Sequence, residues 1–584
     1  MNRKERRALE KRGSGGVAQP AASVSPATPL LAEASHHQRL GRPEQAVKLY
    51  KRALAVEPNN AEALNSFACL LLELRQLSDA STRFAQSVAL APEIFEQYEH
   101  VIDTVVAVNP PLREAMTRAA GAWPRLLTVG ELLGPAGVAA IAGDALLRCV
   151  LELATVRELH LEYVLTAIRA EMLQAAATAG AEASVDEKLL PFFCALARQC
   201  FINEYVFAAT AGEIETLERL RARLDEALAA GTPVSPSWLA AVAAYGPLES
   251  LRGATSLLAR KWPPPLRDVI RQQVEEPQEE RELARSIAAL TPIDDEVSQR
   301  VRQQYEENPY PRWVRAATRR PATTLPEYLQ REFPAAAVRP IGDGTVRDIL
   351  IAGCGTGRQS IETACMFKNT RLLAVDLSLA SLAYAKRKTV EAGVTSIDYA
   401  QADILNLGVI DRSFDMIAAG GVLHHMADPM LGWRVLVSLL RPGGVMALAF
   451  YSELGRRDVV VARALIAERG FQPTPEGIRG CRREISLSPA RRVVRFYDFF
   501  STSECRDLLF HVQEHRIGIP DIKAFIEANG LSFIGFKLPE PVRRTYLARF
   551  GDDRAMTDLD HWHAFETANP DTFAGMYNFW VQKT

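Results

Sequence analysis

From residue 347 onward, short apolar runs alternate with segments whose apolar positions recur every three or four residues. The runs 348–352, 372–376, 396–401, 414–418 and 445–450 predict buried strands. Residues 360–367, 379–391 and 430–440 predict the helices between them. This βαβα order implies a parallel sheet with helices on both faces, whose ligands sit at the carboxyl ends of the strands. After a long segment, 452–520, residues 521–529 predict a helix and 531–536 a strand, and the aromatic 577–583 predicts a final antiparallel strand. The first half has a different pattern. Residues 95–300 read as helix almost throughout, with strands hard to find and with breakers at Pro110-Pro111, Gly134-Pro135 and 263–265. Upstream, LGRPEQAVKLYKRALAVEPNN and LRQLSDASTRFAQSVALAPEI align at a period of 34: Ala46 with Ala80, Tyr50 with Phe84, Pro58 with Pro92. The fold class expected is an all-α helical-repeat region followed by a doubly wound, mostly parallel Rossmann-like sheet with a helical insert.

The domains expected are a basic, Ala/Pro/Ser-rich tail over 1–30, two repeats over 31–94, a helical domain over 95–300, an aromatic and proline-rich linker over 301–345, and the sheet domain over 346–584 with its insert at 452–520. Charge does little to change this picture. There are 68 basic and 70 acidic residues in 584, a net charge of −2, so neither nucleic acid nor an anionic membrane is indicated as partner. Eight scattered cysteines form no CxxC pair, which argues against a zinc site or a disulfide framework. No apolar stretch follows the charged start MNRKERRALEKRG and no run reaches membrane-spanning length, so the expected location is the cytoplasm.

The chemistry gathers between 348 and 426. Gly353, Gly355 and Gly357 follow the first strand, Asp376 ends the second, Asp403 follows the third, and Gly420 opens the GGVLHHM stretch with His424 and His425. A glycine trio by itself fits a dinucleotide fold equally well. GxGxG, rather than GxGxxG, coupled to the two acids resembles the class I S-adenosylmethionine-dependent methyltransferases. The resemblance implies S-adenosylmethionine as cofactor. It would be held by Gly353, Cys354, Gly355 and Gly357, by Asp376 with Leu377 at the ribose, by Asp403 with Ile404 at the adenine, and by Gly420. Phe414-Asp415 and the RPGG turn at 441–444 are further landmarks, with Gly444 permitting the turn. Ala352 departs from the pattern, since many members carry an acid there. The methyl acceptor, small molecule or protein, is not identified, and the NPPY-type motif of enzymes acting on DNA bases is absent.

Several assignments stay open. His424 or His425 is a general base, or one packs and the other caps a loop. In QYEENPYPRW, at 304–313, the aromatic residues either dock the sheet domain or cover the ligand with Tyr310 or Trp313. The arginines of the insert (Arg482, Arg483, Arg491, Arg492, Arg495) bind an acidic acceptor or form a solvated helix face, the reading preferred. His511 and His515 would share a helix face, but HVQEH lacks the HExxH order and no metal is expected. The 34-residue period resembles the tetratricopeptide repeat, with Arg75 departing from the turn glycine at Gly41, and implies a protein or peptide partner. The alternative to an enzyme is an interaction scaffold with an inactive methyltransferase-like domain, which Ala352 favours; an NAD-linked enzyme would need GxGxxG.

Overall fold

The structure is a computed structural model that describes residues 26–91, 98–181, 186–316, 318, 321–342 and 344–584. The basic tail expected at the start lies outside the described residues up to position 25, as does Pro92 of the second repeat. The chain divides into two compact units, Met1–Ile94 and Phe95–Thr584.

In the first unit four helices make the two repeats: α1 (Thr28–Arg39), α2 (Pro43–Val56), α3 (Ala61–Glu73) and α4 (Leu77–Leu90). Small residues sit where the helices cross: Ala46, Ala53, Ala63, Ala68 and Ala80 are fully buried, and Tyr50 stacks on Phe67 with centroids 5.7 Å apart. Arg75 keeps the turn that Gly41 makes, at φ 60° against 67°, and the amides on either side form the same hydrogen bonds back to the preceding helix. The departure from glycine is therefore accommodated as backbone strain in one residue.

In the second unit the sheet has eight strands in the order β1-β4-β3-β2-β5-β6-β8-β7. They are β1 (Ala288–Ala289), β2 (Arg347–Ala352), β3 (Thr370–Asp376), β4 (Ile397–Gln401), β5 (Phe414–Gly420), β6 (Leu440–Phe450), β7 (Leu531–Phe536) and β8 (Tyr577–Lys583). β1 to β6 pair in parallel, and β8 runs antiparallel between β6 and β7. Four helices matter for the site: α5 (Glu296–Glu307), α6 (Arg358–Met366), α7 (Leu379–Glu391) and α8 (Pro429–Leu439). β2, β3 and β5 are buried almost throughout, which is why they read as continuous apolar runs. Trp433 of α8 stacks on Phe525 at 3.9 Å over one face of the sheet.

Two expectations are corrected and one is completed. The helical region ends in one short strand that is hard to find in the sequence, β1, which extends the sheet edge by pairing Ala288 with Ala400. Two residues without amphipathic alternation carry no strand signal. In the RPGG turn it is Gly443, at φ 72°, that takes the left-handed conformation and not Gly444. The turn's Arg441 bridges Asp415 (2.7 Å) and Asp348 (2.8 Å) at the amino ends of the strands, so this landmark ties strands together, opposite the ligand edge. The insert's arginines are not one solvated face either. Arg482 is buried and pairs bidentately with Glu162 of the helix Leu159–Thr178, at 2.9 and 2.7 Å.

Candidate active site

The carboxyl ends of the parallel strands open into a cavity of about 420 Å³, a size suited to a nucleotide-like ligand. Its floor is the turn from β2 into α6. Gly353 and Cys354 both donate backbone N–H bonds to the Val375 carbonyl, at 2.9 Å each. Gly355 has φ 51°, and a Cβ there would lie 2.6 Å from the Tyr310 carbonyl oxygen. Only glycine lets the linker and the loop approach this closely. Gly353, Cys354 and Gly355 line the cavity, and so do Leu377, Ile404 and Gly420. Gly357 does not. Its Cβ would lie 2.5 Å from that of Ala385, so this glycine serves the packing of α6 against α7.

Both acids, Asp376 and Asp403, line the cavity. Asp376 accepts backbone N–H bonds from Gly355 (2.8 Å) and Ser378 (2.9 Å), which anchor it to the glycine loop. Burial raises its pKa against these bonds. Asp403 is 2% exposed; its Oδ1 accepts from Leu405 N–H at 3.0 Å, while Oδ2 is buried with no partner of good geometry, the Ser298 hydroxyl standing nearby. An orphaned carboxylate oxygen on a cavity wall is an unmet acceptor, suited to an amino donor such as that of adenine. The segment before α5 holds this acid in place, since Thr291 Oγ1 accepts its N–H at 2.8 Å, and Ser298 on the first turn of α5 lines the cavity. Part of the stretch that the sequence assigns to the helical domain over 95–300 thus lines the cavity, through Ser298.

The two histidines part company. His425 lines the cavity. Its Nδ1 lies 2.8 Å from the Gln513 carbonyl, which can only accept, so Nδ1 carries the proton and Nε2 has a free lone pair. Burial lowers its pKa, partly offset by the charge of Asp507, so the ring is neutral and able to accept a proton. His424 is fully buried behind it, packed on Tyr451 at 4.1 Å and outside the cavity wall, with burial lowering its pKa further. The geometry singles out His425 and gives His424 a packing place.

Segments distant in sequence complete the cavity lining: Tyr305, Tyr310, Tyr451 and Asp507. The linker does both things left open for it. Trp313 docks, donating from Nε1 to Thr356 Oγ1 at 3.1 Å, while Tyr310 lines the cavity. Asp507 lies on α9 (Thr502–Phe510) of the insert. That helix ends before His511, so His511 and His515 do not share a helix face. Instead His511 stacks on His425, with centroids 3.6 Å apart and planes 16° apart. His425, Asp507 and His511 bring possible ligand atoms within 4.8 Å of one another. Stacked rings, however, run their in-plane lone pairs side by side, where a metal needs them to converge. His511 Nδ1 also accepts from Gln513 N–H at 3.1 Å, which leaves the proton on Nε2. This arrangement does not form a metal-binding set.

Residues 350–448 match the family model described as a methyltransferase domain, and residues 38–99 match that of the tetratricopeptide repeat. An uncharacterized protein of Synechococcus sp. is 32% identical over 199 residues, covering 32% of this chain and 48% of that one. A ubiquinone biosynthesis O-methyltransferase of Parvibaculum lavamentivorans is 35% identical over 155 residues, covering 26% and 58%. The chain thus spans about half the length of these curated relatives. Among solved structures, the PKMT2 protein of Rickettsia typhi is 16% identical with a TM-score of 0.36, covering 45% of this chain and 53% of that one. The chain contains a methyltransferase domain and tetratricopeptide repeats. No described helix is long and apolar enough to cross a membrane.

Proposed function

We propose that this chain is an S-adenosylmethionine-dependent methyltransferase whose tetratricopeptide repeats recruit the acceptor or a partner protein. The observation that carries the reading is a single cavity lined by the glycine loop, Asp376 and Asp403, whose Oδ2 is orphaned. When bound, the cofactor supplies an electrophilic methyl on a sulfonium. The chain's own residues then have three tasks. Asp376 and Asp403 meet ribose hydroxyls and the adenine amino group. Gly353 and Gly355 let backbone lie against the ligand, while Tyr310 and Pro311 close over it from the linker. His425 Nε2 takes a proton from the acceptor where one must leave.

The scaffold alternative rests on Ala352. Gln359, Glu362 and Asn578 line the cavity near Gly420 and offer polar atoms where Ala352 offers none, which favours a working site. Calorimetry with S-adenosylmethionine tests the reading. Wild type should bind, and Asp376→Ala should lose affinity by roughly tenfold or more, as expected for hydrogen bonds to a charged group. Undiminished binding by the variant would sink it. Release of labelled methyl to any acceptor in a lysate separates the enzyme from the scaffold.

A further inference from the structure

A second cavity, of about 310 Å³, lies between the helical region and the insert and shares no lining residue with the first. Its size falls within the range of small-molecule sites. Trp123, Leu126, Leu159, Val206 and Phe499 make its walls apolar. Trp123 stacks on Tyr163 of the helix Leu159–Thr178, with centroids 4.4 Å and planes 5° apart. The Tyr163 hydroxyl is buried on this lining with no partner of good geometry, the Ser486 hydroxyl standing nearby. Burial raises its pKa, so it keeps its proton and is a donor with an unmet bond.

The charges around the cavity are unevenly matched. Arg125, Arg479, Arg482 and Arg483 line it against one acid, Glu162, which Arg482 takes at 2.7 Å. Arg125 pairs with Glu131 at 2.8 Å and Arg479 with Glu476 at 2.7 Å, but both acids are exposed and stand outside the lining, where water screens them. Burial, helped by the charge of Arg169, lowers the pKa of Arg479 against the pull of Glu476. The guanidinium of Arg483 has no hydrogen-bond or ion-pair partner among the described residues. Arg483 precedes Ser486 by three residues on the insert helix Pro475–Ser486, which puts it on the helix face that meets Tyr163. An orphaned donor and an unpaired cation beside apolar walls suit a ligand with an acidic end.

We infer that this cavity binds a small amphiphilic carboxylate, its apolar body against Trp123, Leu126, Val206 and Phe499 and its carboxylate on Arg483 and the Tyr163 hydroxyl. The walls come from both the helical region and the insert, so an occupant stabilises their contact. The same insert carries α9, which brings Asp507 to the first cavity. The ligand is thus an effector held at a distance from the glycine loop.

The experiment is calorimetry on the full chain with octanoate and 1-naphthylacetate, one chain and one ring, each against the alcohol of the same skeleton. At least one carboxylate should bind roughly tenfold or more tighter than its alcohol, as expected for hydrogen bonds to a charged group. Arg483→Gln should erase that preference, Tyr163→Phe should weaken the carboxylate several-fold, and Leu126→Asp should repel it. Arg483 and Leu126 are exposed, so these variants should melt as wild type does. Saturating S-adenosylhomocysteine should leave the carboxylate's affinity within about twofold, as for independent sites. At ten times its Kd the carboxylate should slow hydrogen exchange roughly tenfold at Thr502 and Ser503, whose amides bond to the helical region. Equal binding of acid and alcohol, binding of neither acid, a preference that survives Arg483→Gln, or competition by S-adenosylhomocysteine overturns the site. Unchanged exchange at the two amides overturns the effector role.

Discussion

Arg482 joins the insert to the helical region, and its removal should be felt across both. It is 6% exposed and holds Glu162, itself 4% exposed, with two parallel bonds of 2.9 and 2.7 Å. It also donates to the carbonyls of Phe499 (2.8 Å) and Val206 (3.1 Å). Arg482→Met fills much of the same volume but leaves a buried carboxylate unpaired. Breaking one half of such a pair costs about 3–5 kcal/mol. The loss should fall on the contact that the pair clamps, where the insert's Thr502 N–H donates to Asn203 O (3.2 Å) and Ser503 N–H to Glu204 Oε2 (2.6 Å). Hydrogen exchange at the Thr502 and Ser503 amides reads that opening directly, and the cost converts to an acceleration of roughly two to three and a half decades. The double variant Arg482→Met/Glu162→Met removes the stranded charge and should recover most of the protection. An acceleration below tenfold in the single variant, or no recovery in the double, would refute the reasoning.

Asp403→Asn replaces the orphaned oxygen with an amide whose N–H₂ can face the adenine amino group, and should weaken S-adenosylhomocysteine binding roughly 10- to 100-fold by calorimetry. Gly357→Ala adds a Cβ 2.5 Å from Ala385 at φ 81° and should cost about 2–5 kcal/mol. Gly470→Ala has the same backbone sign (φ 70°) but open space around it, and should cost only about 1–2 kcal/mol in the same denaturant titration. Burial pushes the Glu504 carboxyl up to about 7 against the pull of Arg157. A raised acid binds more protons folded than unfolded, so its contribution is fully present below the unfolded value of about 4.3 and is lost as pH rises through 7. Thermal melts of Glu504→Gln should therefore show a flatter decline between about pH 5 and 8 than wild type.

The parts of the site that were legible are those built within one βα unit. β2, the glycine loop, α6 and β3 occupy successive stretches, and the strand carrying Asp376 pairs directly beside the loop, Ala352 opposite Val375. Right-handed crossovers put every such loop on the same edge of the sheet, so Asp403 and His425 could be placed there from order alone. The same reasoning could not tell His424 from His425, because adjacent residues in a short turn differ only in which one the fold turns inward. Gly357 was misassigned for a related reason. A glycine needed for close helix packing and one needed for close ligand approach look identical in the sequence.

The chain's pattern by itself determined the sheet, its helices, the repeat array and the edge where a ligand lies, because these depend on periodicity and on connections of a few residues. Only the tertiary structure decided which distant segments complete the cavity. Tyr305 and Asp507 are 202 residues apart, yet share a hydrogen bond of 2.6 Å, and Arg482 reaches back 320 residues to Glu162. Contacts of that separation leave no trace in local spacing, because the side chains become neighbours only after the insert and the helical region have packed together. The glycine-loop side of the cavity could thus be read along the chain, while the lining from Tyr305 and Asp507 came together only once the chain had folded.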